Sequence, residues 1–180
     1  MKKRLCLTLP YIGIPIICIA TLIITGRRVD TNTLLQYEML IIFGYFAALY
    51  DIKEKRVPNS LVLVMLAAWI IIIIPRLFIQ TSATIALLFD ASLGLVIGGG
   101  MFLLVYLISR KGLGGGDVKF MAASGLYLGL YRVLPAMLYG TVLAALTGIV
   151  LIAMKKITRK DTIPLAPFIY AGILIVIIPG

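Results

Sequence analysis

The chain has 180 residues, of which 62% are hydrophobic and 13% charged, and its mean hydropathy is +1.11. That apolar share excludes an ordinary water-solvated domain and predicts a polytopic membrane protein with length for about six or seven spans at ~20 residues each. The net charge of +10 comes with no histidine and with two cysteines, Cys6 and Cys18, which removes Ser-His-Asp and Cys-His nucleophile sites, a His-Glu-x-x-His zinc site and a disulfide framework.

In chain order, Met1 to Arg4 carries three cations and Leu5 to Gly26 is an uncharged run of 22 residues. The run is too long for a usual signal-peptide core and no Ala-x-Ala site follows, so a retained first span is expected, kinked or delayed by Pro10 and Pro15. Arg27 to Asn32 is a polar loop. A second span is predicted from Leu34 to Tyr50, with Glu38 toward its outer end and Asp51 at its inner end. Val57-Pro58-Asn59-Ser60 reads as a stop, a turn and a cap: Pro58 disfavours helix at Val57, and Asn59 or Ser60 is placed to cap the next helix. The third span is predicted from Leu61 to Ile74, ending near Pro75-Arg76, and the fourth from Thr81 to Ser109, with Asp90 in its outer half. Gly94 and Gly98 have the small-xxx-small spacing that favours close helix packing in membranes.

Lys111-Gly112-Leu113-Gly114-Gly115-Gly116-Asp117-Val118-Lys119 then breaks the apolar pattern. Each glycine costs a helix about 1 kcal/mol relative to Ala, so unusual backbone angles and close approach of another backbone are expected at Gly114, Gly115 and Gly116. Asp117 is placed to cap the helix that restarts there. A shorter apolar piece runs to about Gly129, with Gly125 and Gly129 repeating the small-xxx-small spacing. After Arg132, Val133 to Met154 is the sixth predicted span. A polar loop through Lys160 and Asp161 leads to Ile163-Pro164-Leu165-Ala166-Pro167-Phe168, where prolines in the first turn suit a helix start, and the last span ends at Ile178.

With the N-terminus inside, the cytoplasmic segments hold Lys2, Lys3, Arg4, Lys53, Lys55, Arg56, Arg110, Lys111, Lys119, Lys155, Lys156, Arg159 and Lys160. The outer segments hold Arg27, Arg28, Arg76 and Arg132, which completes the 17 cations. This asymmetry predicts seven spans in the cell membrane with a cytoplasmic N-terminus. Because the cations sit in short loops, the basic balance is read as topology and no nucleic-acid partner is expected. The fold class is therefore an all-α polytopic membrane helical bundle of about seven spans. It divides into an N-terminal extra span and loop, 1–33, and a core, 34–180.

Of the seven acids, Asp51 and Asp117 share the cytoplasmic depth on different helices, whereas Asp90 lies on the outer side. Two aspartates can activate water without histidine, one ionised as base and one protonated to polarise a carbonyl. Intramembrane acids also serve proton- or cation-coupled transporters, the alternative from another class. A break at the membrane edge and the lack of repeated halves weigh toward an enzyme. Asp51 alone also reads as an interfacial acid beside Lys53 and Lys55. Helix ends assign roles within the pair. Asp51 sits at a negative C-terminus, which disfavours its ionised form. Asp117 sits at a positive N-terminus with Lys119 two residues on, which favours it. Asp117 would then be the first base.

Asp51 followed by Arg56-Val57-Pro58-Asn59, then Gly114-Gly115-Gly116-Asp117-Val118-Lys119, then Pro164-Leu165-Ala166-Pro167-Phe168, resembles the type IV prepilin peptidase family of membrane aspartic peptidases over roughly Leu34 to Ile178. The resemblance implies that Asp51 and Asp117 are the catalytic pair. It implies that Gly114, Gly115, Gly116, Pro58, Asn59 and Lys119 shape the site, and that no cofactor or metal is used. It also implies a pilin-like precursor as substrate, with a short basic leader cut at the cytoplasmic face, and a lipid bilayer as the surrounding partner. Many members add a domain with paired Cys-x-x-Cys motifs that methylates the new N-terminus. This chain has no such motif, so it is similar to the short, peptidase-only branch, as in Flp-type pilus or archaeal-flagellin systems. Presenilin-like proteases, which also pair a Tyr-Asp with a Gly-x-Gly-Asp, rank second because their acids lie on successive spans.

Overall fold

The computed structural model describes residues 17–23, 25–26, 29–109, 113–156, 158 and 162–178. The expectations for Cys6, Pro10, Pro15, Gly112 and Asp161, and for the cations Lys2, Lys3, Arg4, Arg27, Arg28, Arg110, Lys111, Arg159 and Lys160, lie outside those residues. Residues 17–23 are helical, and five helices follow: α1 (Thr31–Glu54), α2 (Asn59–Ile79), α3 (Thr81–Ile108), α4 (Gly115–Ala153) and α5 (Ala166–Ile177). The described residues contain no strand, in keeping with the all-α expectation. Four helices, α1 to α4, are long and apolar enough to cross a membrane, and α5 is a shorter apolar helix of 12 residues.

Asp30 starts α1 by accepting the Thr33 N–H at 3.3 Å, an N-cap. The buried residues of α1 recur as Gln36, Tyr37, Leu40, Ile41, Gly44, Ala47, Ala48 and Asp51, one helical stripe. Lys55 closes the helix in the left-handed region, φ 53°, and its N–H bonds the Asp51 carbonyl at 2.8 Å.

Three predicted boundaries are corrected. α2 runs through Pro75 to Ile79 instead of ending at Pro75-Arg76; apolar surroundings and local adjustment let membrane helices carry proline. Only Gln80 separates α2 from α3, and Thr84 Oγ1 donates to the Arg76 carbonyl at 3.0 Å across that bend. The N-cap of α2 is Pro58, with no side-chain bond, so neither Asn59 nor Ser60 caps it. The N-cap of α4 is Gly114, and Asp117 lies inside the first turn.

α4 spans 39 residues but is broken at Gly129, whose φ of 70° and ψ of 178° are not helical. Its first half packs on α3 through the two predicted glycine pairs. A Cβ on Gly94 would collide with the Gly125 carbonyl, one on Gly125 with Gly94, and one on Gly98 would meet the Met121 carbonyl at 3.1 Å. Its second half receives α5, where a Cβ on Gly172 would meet the Gly140 nitrogen at 2.7 Å. The fully buried side chains Leu40, Ile41, Phe120, Met121, Val133, Ile169, Ile173 and Ile177 place the core between α1, α4 and α5. Thr21 and Thr25 lie against this core: Thr21 Oγ1 donates to Glu38 Oε1 at 2.5 Å, and Thr25 Oγ1 reaches the Ile177 carbonyl at 3.5 Å. The exterior is apolar, with Ile71, Phe78, Phe89 and Ile108 exposed. Such a surface suits lipid, where helices associate by close packing instead of by escape from water.

Candidate active site

Asp51 is the last member of the buried α1 stripe and is 3% exposed. Its Oδ2 accepts the Ala166 N–H at 2.9 Å, and the Leu165 N–H also bonds the carboxylate. These donors belong to the start of α5, where N–H groups lack partners within the helix. An acid from α1 therefore fills the place of a cap for α5. Lys53 and Lys55 are exposed, and Lys55 Nζ reaches the Thr162 carbonyl at 3.4 Å. No ion pair joins Asp51 to those lysines among the described residues; its carboxylate is held by backbone N–H groups instead.

Asp117, third residue of α4, is 8% exposed. The Gly114 N–H donates to its carboxylate, the reach-back of a capping box from the third position to the N-cap. Its Oδ1 is buried without a partner. The Asp51 charge acts on Asp117, so the two carboxylates are electrostatically coupled. The three separated sequence elements thus meet at one end of the bundle.

The predicted glycines have unequal environments. None has a positive φ; among the described glycines Gly129 alone does. Gly116 matters by contact, since a Cβ there would come within 2.9 Å of the Val57 carbonyl oxygen and 3.1 Å of its nitrogen. A Cβ on Gly114 would meet Asp117 Oδ2 at 3.0 Å, and one on Gly115 would enter open space. Of the two expected uses of these glycines, close approach of another backbone is seen at Gly116, and none of the three adopts a positive φ. Pro58 (φ −69°, ψ 139°) turns the chain from buried Val57 into α2. Lys119 Nζ donates to Asn59 Oδ1 at 2.9 Å, which ties the first turn of α4 to the first residue of α2. Arg56 pairs with Glu54 at 3.2 Å on the exposed surface and does not enter the site.

Sequence reasoning missed the Leu165 and Ala166 backbone donors and the Val57 backbone. The Pro164 to Phe168 element entered the family resemblance and signalled a helix start, but not which acid that start would meet. Among the described residues no group of three His, Cys, Asp or Glu could hold a metal ion. Glu38 is held by Thr21, and Asp90 Oδ1 accepts the Leu130 N–H at 3.1 Å; neither joins the pair.

The chain matches the model of the type IV leader peptidase family over residues 39–149, a stretch that includes both aspartates and stops short of Pro164. It is 31% identical over 138 residues to the prepilin leader peptidase/N-methyltransferase of Stutzerimonas stutzeri, covering 73% of this chain and 45% of that protein. It is 26% identical over 133 residues to the prepilin leader peptidase/N-methyltransferase of Bacillus subtilis (strain 168), covering 74% and 51%. The chain belongs to the type IV leader peptidase family. It spans about half the length of these curated relatives. No solved structure matches it at a significant level.

Proposed function

We propose that the chain is a membrane-embedded aspartic endopeptidase that removes the short basic leader from pilin-like precursors at the cytoplasmic face. The observation that carries this reading is the meeting of two buried, coupled carboxylates, Asp51 and Asp117, at one end of an apolar helical bundle in a leader peptidase family member. Asp51 holds the negative charge, because two backbone N–H groups and the positive end of α5 face it. Asp117, with a single backbone donor and a free buried Oδ1, holds the shared proton. These roles reverse the expectation from helix ends, which lacked the α5 terminus.

A water between the carboxylates gives a proton to Asp51 as its oxygen attacks the scissile carbonyl carbon. Asp117 gives its proton to the carbonyl oxygen. The tetrahedral intermediate collapses as that hydroxyl returns its proton to Asp117, the C–N bond breaks, and the leaving nitrogen takes the proton from Asp51. In the membrane, residues 17–26, α1, α2, α3, the two halves of α4 and α5 make seven crossings with the N-terminus inside. The Gly129 break and the excess of cations in the loops on the aspartate side support that count.

The test is processing of a co-expressed pilin precursor with a basic leader, followed by gel mobility. Asp51→Asn and Asp117→Asn should each lower processing by about 10²–10⁴-fold, the scale of general acid–base catalysis, at unchanged membrane levels of the protein. Normal processing by either variant overturns the assignment.

A further inference from the structure

The end of the bundle remote from the aspartates holds a second polar cavity, of about 240 Å³, between the start of α1, the first half of α3 and the break in α4. Tyr37 in its wall is fourteen residues from Asp51 along α1, ~21 Å at helical rise. The break builds one side. Gly129 turns out of the helix, and Asp90 takes up the freed Leu130 N–H at 3.1 Å. A Cβ at position 129 would collide with the Asp90 carboxylate. Arg132 follows, with its guanidinium 5.0 Å from the Tyr37 ring centroid and Nη1 donating to the Tyr37 hydroxyl.

Arg132 and Asp90 line the same cavity without pairing with each other; among the described residues the ion pairs are Arg56–Glu54 and Arg76–Asp30. Gln36 lines it too. That residue is 3% exposed, and its Nε2 is buried with no hydrogen-bond partner. An unpaired buried amide is costly, and buried polar groups are as a rule paired. Donors thus line the cavity, Gln36 from α1 and Arg132 held on Tyr37, and the Asp90 carboxyl supplies an acceptor. Gln36 is five residues from the start of α1, ~8 Å in, the depth of a headgroup region.

We propose that this cavity binds a phosphoethanolamine group, its phosphate oxygens taken by Gln36 Nε2 and the Arg132 guanidinium and its ammonium by Asp90. Arginine and amide donors suit phosphate oxygens. Asp90 spends one of its lone-pair sites on Leu130 and keeps others for an ammonium. The source is a phosphatidylethanolamine headgroup or free phosphoethanolamine.

The experiment is native mass spectrometry of the purified full chain equilibrated with equal amounts of phosphatidylethanolamine, phosphatidylglycerol and phosphatidylcholine. The ethanolamine lipid should be retained about tenfold over the other two, the order expected for one charge-assisted hydrogen bond, because glycerol has no charge and a trimethylammonium no N–H. Asp90→Asn, which keeps an oxygen for the Leu130 N–H, should remove the preference while its melting temperature without lipid stays near the parent's. Gln36→Leu should lower retention of all three. Retention in mixture proportion, or an unchanged preference in Asp90→Asn, overturns the proposal. A second arm measures melting of lipid-stripped protein in detergent. A rise with millimolar phosphoethanolamine identifies a soluble occupant, a rise with phosphatidylethanolamine alone identifies the lipid, and a rise with neither overturns the proposal.

Discussion

Gly114, Gly115 and Gly116 look alike in the sequence, but a Cβ would meet Asp117 at the first, open space at the second and the Val57 backbone at the third. Gly116→Ala should lower processing at least tenfold, because its Cβ would press on the Val57 backbone at 2.9 Å, and backbone cannot move aside as a flexible side chain can. Gly115→Ala should stay within about twofold of the parent, and gain slightly in helix stability, since its Cβ meets nothing. Precursor processing beside melting temperature checks both; equal loss in the two variants would mean that flexibility, not contact, is what the glycines supply. The need for small residues before Asp117 was legible in the sequence. Which backbone comes close was not, because Val57 belongs to another loop. The same holds for the proton. Helix ends put it on Asp51, whereas the mechanism proposed above, which takes in the α5 donors, puts it on Asp117. Infrared spectroscopy of the resting protein should show a protonated-carboxyl band that disappears in Asp117→Asn; a band that survives that change restores the roles read from the helix ends.

At the scale of an element, α5 takes its first hydrogen bonds from α1. Asp51→Asn keeps an acceptor oxygen for the Ala166 N–H, and Asp51→Ala does not. Both should abolish processing, but the alanine variant should also lose about 0.5–2 kcal/mol, the worth of an N-cap, seen as a lower melting temperature than that of Asp51→Asn. Equal melting of the two would separate the carboxylate from any structural part. Close helix packing at Gly94 and Gly98, and again at Gly125, was readable in advance, but not that α3 and α4 meet each other through them. Helix ends were read less well. Pro75 looked like a stop but is carried within α2, and Asn59 looked like a cap but holds Lys119 instead. Local propensity names what a residue can do, and a distant partner selects among the options.

For the whole molecule, composition disclosed an apolar helical bundle, and the order of three motifs disclosed the family. Neither disclosed that the N–H groups of residues 165 and 166 meet Asp51, because nothing in a helix start says which acid it will meet. The seven-crossing arrangement makes a prediction at this scale. In a Cys6→Ser, Cys18→Ser background, cysteines placed at Lys55 and Lys156 should react with an impermeant maleimide only from the cytoplasmic side, and one at Tyr131 only from the other. Tyr131 lies two residues past the Gly129 break and is highly exposed. If α4 crossed once as a single rod of ~58 Å, Tyr131 would sit in lipid and stay unlabelled, and Lys156 would change sides.

The bonds from residues 165 and 166 to Asp51 also carry a consequence in time. A ribosome that has delivered α1 through α4 to the membrane has already made both aspartates, yet the donors that hold Asp51 have still to be synthesised. On the proposed mechanism, Asp51 is held as base only once α5 has docked, so activity would appear after that helix is in place and not before.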